Sequence, residues 1–300
     1  MDLLGLANYA VFMAILIGIY ALLALGLNLQ YGLTGLINFG HVGFFCIGAY
    51  AAAILSTSGG MPVGVGFLAA MLLAGLAALP IGLIALRLRD DYFAIVTLGF
   101  SETVRLVVTS EGWLTKGVQG IPGIPRLFDG VGLGSALAVL AVLVAANAAA
   151  IAVFRRIVAS PFGRMIEAIR DNEEAVKALG KDPARFKIQV LVLGAALAGL
   201  SGAFYAHYIG YVSPDQFIPL VTFYVWMAII MGGVGRISGA IVGTMLLMLF
   251  LEGSRFLRDV LPFISAVDMA SIRIGAVGLA LVLFTLYRPQ GLMGDFTRRK

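Results

Sequence analysis

The sequence predicts an all-α, polytopic helical membrane protein of about 8–10 transmembrane segments, one of them broken or re-entrant, on the rule that roughly 20 apolar residues make one crossing. Three observations carry this. Residues 3–86 contain no Asp, Glu, Lys or Arg, which leaves no water-facing surface in that stretch. Hydrophobic residues make up 60% of the 300-residue chain and charged ones only 12%, with a mean hydropathy of +0.99; soluble domains carry about 25% charge. Polar residues gather in one sizeable stretch, 155–187. The chain therefore reads as a single transmembrane domain over 1–300.

Apolar runs bounded by charge, Pro or Gly clusters predict helices at 9–27, 34–56, 63–86, 92–108, 134–154, 187–209, 217–234, 238–256 and 270–287. The second is the broken one, because Gly32, Gly35, Gly40, Gly43 and Gly48 interrupt it. There are 38 glycines. In a soluble helix each would cost about 1 kcal/mol relative to Ala, whereas between membrane helices small residues permit close approach. Gly235, Gly239 and Gly243 repeat at four-residue spacing, as do Ala195 with Gly199 and Ala198 with Gly202, and these predict packing faces.

Orientation follows from Lys and Arg. Arg155, Arg156, Arg164, Arg170, Lys177, Lys181, Arg185 and Lys187 lie in 155–187, Arg87 and Arg89 close the third run, and Arg236, Arg288, Arg298, Arg299 and Lys300 share that side. This places most of the 21 basic residues, and the C-terminus, in the cytoplasm. The stretches 109–133, 210–216 and 257–269 fall outside, and nine spans put the N-terminus there too. Tyr205, His207, Tyr208 and Tyr211 read as an interfacial belt. The net charge of +5 is explained by this asymmetry and is no nucleic-acid signal. Met1-Asp2 lacks a basic leader, so no cleaved signal peptide is expected. Cys46 is the single cysteine and sits in an apolar run, which removes an internal disulfide and argues against a catalytic thiol.

The 155–187 loop has its own helical pattern. Ser160-Pro161 reads as N-cap and first helical residue, followed by an apolar stripe of Phe162, Met165, Ile166 and Ile169. Asp171 with Glu174 resembles a capping box, Gly180 a helix C-terminus, and Asp182-Pro183 the start of the next helix. Two short amphipathic helices fit either docking onto another protein or lying on lipid headgroups. The acidic pair Glu173 and Glu174 favours docking over an anionic leaflet.

The string from Ser160 to Gly180 (Ser-Pro-Phe-Gly-Arg-Met-Ile-Glu-Ala-Ile-Arg-Asp-Asn-Glu-Glu-Ala-Val-Lys-Ala-Leu-Gly) resembles the cytoplasmic coupling loop of the permease subunits of branched-chain amino-acid ABC transporters. Similar in order are Ala24–Phe44, with Asn28, Gln30, Tyr31, Thr34, Asn38, Phe39, Gly40 and His41; Arg89–Phe100; Gly120–Pro125; and Tyr287–Leu292. These are closest to the M-type subunit. The resemblance implies an inner-membrane subunit that pairs with a second, homologous permease. It also implies two cytoplasmic ATPase subunits docked on the coupling helices, and a periplasmic binding protein that delivers Leu, Ile or Val. Arg164, Met165, Ile166, Ile169, Asp171, Glu173, Glu174, Ala175, Leu179 and Gly180 are then the coupling surface. The chain has no Gly-x-x-x-x-Gly-Lys-Ser/Thr loop, so it is expected to bind no cofactor and to be no enzyme, with ATP and Mg used by the partners.

Polar groups at membrane depth are costly unless they face a cavity or the bundle interior. Asn38, Phe39, Gly40, His41, Gly43, Thr97 and Ser101 are therefore either substrate-path residues or packing elements, His41 in the second case being satisfied by a backbone carbonyl. His207 is too distant to make a metal site with His41. Glu102 and Arg105, three apart, predict an ion pair along one helix face; so paired, the carboxylate is a poor proton carrier. The stiff loop Gly117–Pro125 is either a contact for the binding protein or a plain connection. Competing readings are a related permease for urea, short amides or aromatic acids, and an ion-coupled secondary transporter. The charge-free opening, lacking buried carboxylates, argues against the last.

Overall fold

The computed structural model describes residues 3–85, 90–128, 130, 132–260, 266–288 and 290–293. Its helices are α1 (Leu3–Thr34), α2 (His41–Thr57), α3 (Val63–Ala85), α4 (Asp90–Ser110), α5 (Gly112–Thr115), α6 (Leu133–Ala159), α7 (Pro161–Asp171), α8 (Glu173–Ala178), α9 (Pro183–Ile209), α10 (Leu220–Gly232), α11 (Ile237–Val260) and α12 (Ala266–Tyr287). A two-residue antiparallel ribbon pairs β1 (Ile121–Pro122) with β2 (Tyr211–Val212), in register Ile121↔Val212. The fold is thus an all-α polytopic membrane bundle. Arg87, Arg89, Arg298, Arg299 and Lys300, used above for orientation, lie outside the described residues.

By length and apolar content, α1, α3, α4, α6 and α9 each suffice to cross a bilayer, and α10 with α11 forms a pair bent by 120°, a broken span or a re-entrant loop, so the described residues hold five or six such spans where about 8–10 are expected. The 17-residue α2 is only about 25 Å long, short of the roughly 30 Å apolar layer. The break was expected across 34–56, but it is confined to residues 35–40. Gly32 belongs to α1, whereas Gly43 and Gly48 lie inside α2. A second break, at 233–236, appears where two separate spans were expected. Gly233 and Gly235 adopt positive φ there (124° and 81°) and let the chain fold back.

Buried α1 lies at the centre, packed against α9, α6, α11 and α10, while α2, α3 and α9 form the tightest trio. Where Gly48 lacks a side chain, the backbone of Gly199 fills the space; where Gly202 lacks one, the backbone of Phe45 and Ala49 does. Gly239 and Gly243 bring α11 onto Gly232 and Ala228 of α10. Gly235 does not share that face, because it lies in the turn before α11 and meets Gly32. Of the three glycines, Gly239 and Gly243 thus sit between α10 and α11, and Gly235 does not.

The cluster of Tyr205, His207, Tyr208 and Tyr211, read as an interfacial belt, is partly interior. His207 is buried, stacks on Phe67 with centroids 5.4 Å apart, and its Nδ1 lies 2.7 Å from the Pro125 carbonyl. Tyr205 packs on Phe45 and Phe217. The loop 117–125 is a connection clasped to the end of α9. The Ile124 amide donates to the Gly210 carbonyl at 3.1 Å and the Tyr211 hydroxyl to the Gln119 carbonyl at 2.9 Å.

Candidate functional site

Two sites take shape, one at the 35–40 break and one on the 160–187 loop. The break begins where Gly35, at φ 76°, ends α1, its amide donating to the Tyr31 carbonyl at 2.9 Å. Non-helical backbone inside a membrane protein needs partners for its amides, and polar side chains supply them here. The Asn38 side chain donates through Nδ2 to Gln30 Oε1 at 2.8 Å and accepts from the Gly40 amide at 2.9 Å. Trp226 Nε1 donates to the Asn38 carbonyl at 3.0 Å, and Gln30 Nε2 donates to the Leu191 carbonyl at 3.1 Å. The Phe39 amide donates to Thr97 Oγ1 at 3.0 Å and the Val42 amide to Thr222 Oγ1 at 3.0 Å. The break is therefore tied to α1, α4, α9 and α10 at once.

His41 Nε2 lies 3.1 Å from the Leu23 carbonyl, and the ring is fully buried. That is the packing alternative raised for this residue. Gly40 is covered by the Thr97 backbone and Gly43 by Ser101 and Phe100, so both act as close-approach points. Ser101 caps back onto the Leu98 carbonyl at 2.8 Å. Of the seven predicted path residues, Phe39 alone keeps partial exposure. It lies 5.4 Å from Phe223 and 5.5 Å from Trp226, which in turn meets Tyr31 at 4.4 Å. We expect His41→Gln, which can still reach the Leu23 carbonyl, to assemble like the parent. His41→Ala should lower the unfolding temperature measurably in detergent, since it empties a buried site.

Glu102 and Arg105 form the expected pair on α4, with Arg105 Nη2 2.7 Å from Glu102 Oε2 and both side chains partly exposed.

On the loop, Ser160 caps α7 by accepting from the Gly163 amide at 3.2 Å. The cap of α8 is Asn172 rather than Asp171, its Oδ1 accepting from the Ala175 amide at 3.0 Å. Asp171 instead ends α7 and pairs with Arg170 at 3.1 Å. The substitution is chemically equivalent, because Asn and Asp cap alike. Gly180, at φ 73°, closes α8 with its amide on the Lys177 carbonyl at 2.9 Å. Asp182 caps α9 at the Ala184 amide.

Ile166 and Ile169 are 0% and 3% exposed, packed toward the membrane helices. Their expected place on the outward coupling surface is therefore corrected: they are the mounting of α7. Met165 is half-buried, whereas Arg164, Asp171, Glu174, Ala175, Leu179 and Gly180 are exposed. Leu179, 79% exposed, projects an apolar side chain from the tip.

Glu173 joins α8 to α9 through Lys187 at 2.6 Å and also meets Lys177 at 3.3 Å. Burial alone would raise the Glu173 carboxyl, but the two ammonium groups outweigh it and hold the group below the usual carboxylate range. A carboxylate with a lowered folded pKa stabilises fully above its ordinary value and ceases to do so as pH falls through the lowered one. Protection of the amides over 173–180, taken relative to an unstructured peptide at the same pH, is accordingly expected to fall on acidification below the ordinary value of 4.5, and Glu173→Gln should flatten that dependence.

Sequence reasoning did not assign roles to Asn28, Gln30, Thr222, Trp226 and Arg170. The available signal was the amide pair Asn28 and Gln30 in an otherwise apolar helix, since such groups must find partners at membrane depth. Asn28 does so twice: its Nδ2 donates to the Arg236 carbonyl at 3.1 Å and its Oδ1 accepts from the Gly235 amide at 2.8 Å.

Residues 9–285 match the family described as branched-chain amino acid transport system / permease component. The chain is 33% identical, over 92% of its own length and 68% of the relative's, to the high-affinity branched-chain amino acid transport system permease protein LivM of Salmonella typhimurium. It is 34% identical to LivM of Escherichia coli over the same shares. To the E. coli LivH permease it is 24% identical over 92% of this chain and 91% of that one. No solved structure matches. The chain belongs to the branched-chain amino acid transport system permease family, on its M-type side.

Proposed function

We propose that the chain is the M-type membrane subunit of an ATP-driven importer in the bacterial inner membrane, carrying Leu, Ile or Val by alternating access. In this reading it pairs with an H-type permease and two cytoplasmic ATPase subunits bind its α7–α8 surface. A periplasmic protein delivers the amino acid, and ATP and Mg are handled by the ATPases. The observation that carries the reading is the two-faced loop. Its inner face is anchored by Ile166, Ile169 and the Glu173–Lys187 pair, while its outer face offers Arg164, Glu174, Ala175 and exposed Leu179 to a partner. A helix merely lying on lipid would turn its apolar side outward instead.

For the path, the partly exposed Phe39 at the break is the group available to an apolar amino-acid side chain, with Asn38, Gly40, Thr97 and His41 fixing the backbone behind it. The test is co-purification of the assembled complex and uptake from it. Glu174→Arg or Gly180→Trp should reduce ATPase retention about tenfold or more, as loss of a well-placed interface contact does. Full retention and uptake in both variants would overturn the docking assignment. Ligand binding by the cognate periplasmic protein tests the substrate class.

A further inference from the structure

We infer that Arg170 is the positioning residue through which movement of α7 reaches the membrane helices, an inference resting on the importer reading above. Its guanidinium is the point where the loop grips α1. Nη1 donates to the Gly32 carbonyl at 2.7 Å, while Nε and Nη2 donate to Asp171 Oδ1 at 3.2 and 3.1 Å. The Gly32 carbonyl belongs to the last turn of α1, where carbonyls lack helical partners and positive charge is favoured. Gly35 and Gly235 flank the guanidinium stem and head. A side-chain carbon on Gly35 would lie 3.4 Å from Arg170 Cγ, and one on Gly235 would lie 3.7 Å from Nη1. Two segments distant in sequence thus leave a slot for one side chain.

What the slot adjoins gives the grip its consequence. The end of α1 is also the start of the 35–40 break, and one turn earlier Asn28 holds the backbone of Gly235 and Arg236 in the α10–α11 turn. A displacement of α7 therefore bears on the break and on the turn together. The apolar contacts of Ile166 and Ile169 can slide, whereas a charge-assisted hydrogen bond is directional. Lys could not replace it, because a single ammonium lacks the planar fork that serves Gly32 and Asp171 at once.

The experiment uses the complete complex, with its permease and ATPase partners, in proteoliposomes supplied with binding protein and leucine. ATP hydrolysed and leucine taken up are measured separately. Arg170→Gln is expected to keep both ATPase subunits bound and ATP turnover near the parent's, while uptake falls. ATP spent per leucine should rise about tenfold, the scale of losing one charge-assisted hydrogen bond. Arg170→Lys, which keeps the charge, should show the same shift if Gln fails to accumulate. Arg155→Gln, an exposed cation at the end of α6, should leave the ratio unchanged. An unchanged ratio in the Arg170 variants, or a parallel fall of both activities, overturns this inference alone. A parent complex that shows no ATP-driven leucine uptake removes the importer reading, and this inference with it.

Discussion

Gly199→Val is expected to abolish accumulation of the folded protein. Gly199 occupies the crossing where α9 is flanked by α2 and α3. A side-chain carbon added there would enter the Ala70 carbonyl and come within 2.6 Å of Ala74 Cβ, and the Gly199 backbone itself fills the space beside Gly48. Relief by side-chain rotation is impossible, since the obstacles are the Ala70 main chain and the Ala74 methyl, which have no rotamer to change. Overpacking in a core typically costs 1–3 kcal/mol when neighbours yield. Here α9 must be displaced from α3 while its other side already lies against Gly48 of α2, so the loss is expected at or beyond the upper end, against a net stability on the order of 5–15 kcal/mol. Size-exclusion chromatography of detergent extracts provides the measurement, with Gly5→Ala as the comparison because nothing lies within 4 Å of that site. A monodisperse Gly199→Val peak at parental yield would show that the trio is looser than described.

Asn38→Leu is expected to lower both thermal stability and uptake. The change leaves the Gly40 amide and Gln30 Oε1 without their partners in a site fully closed to solvent. Each buried unsatisfied group costs about 1–3 kcal/mol, so a loss of roughly 2–6 kcal/mol is expected. Asn38→Ser, which is shorter but still polar, should lose less. The check is the unfolding temperature of the purified complex beside its leucine uptake. Parental values for Asn38→Leu would mean that the break is held by Thr97, Thr222 and Trp226 alone.

The helical plan was legible because lipid imposes a simple rule: uncharged runs of sufficient length become helices, and their termini carry the charge. Ser160, Gly180 and Asp182-Pro183 were readable for a similar reason, since caps depend on a few neighbouring residues. What escaped was long-range. Whether Asn172 or Asp171 caps α8 depends on where α7 stops. That Gly235 sits in a turn rather than on a helix face depends on α1 being close enough to offer Asn28. Ile166 and Ile169 were readable as an apolar stripe, but periodicity says nothing of whether such a stripe faces its own helices or a partner. His41 and Asn38 marked a costly place correctly, while the partners that satisfy them, Leu23 and Gln30, emerge only once α1 and the break are folded together.

The clasp at the far end of α9 has a consequence for how this helix moves. The ribbon of Ile121–Pro122 on Tyr211–Val212, with Ile124 on Gly210 and His207 on Pro125, fastens one tip of α9 through several main-chain and side-chain links. The opposite tip is linked to α8 through the Glu173–Lys187 pair. A rod fastened at one tip and pushed at the other pivots. The 27 residues of α9 make a rod about 40 Å long. A push of about 3 Å at the loop tip is then a tilt of only about 4°. The ribbon is the fulcrum, and the glycine crossings nearest it travel least.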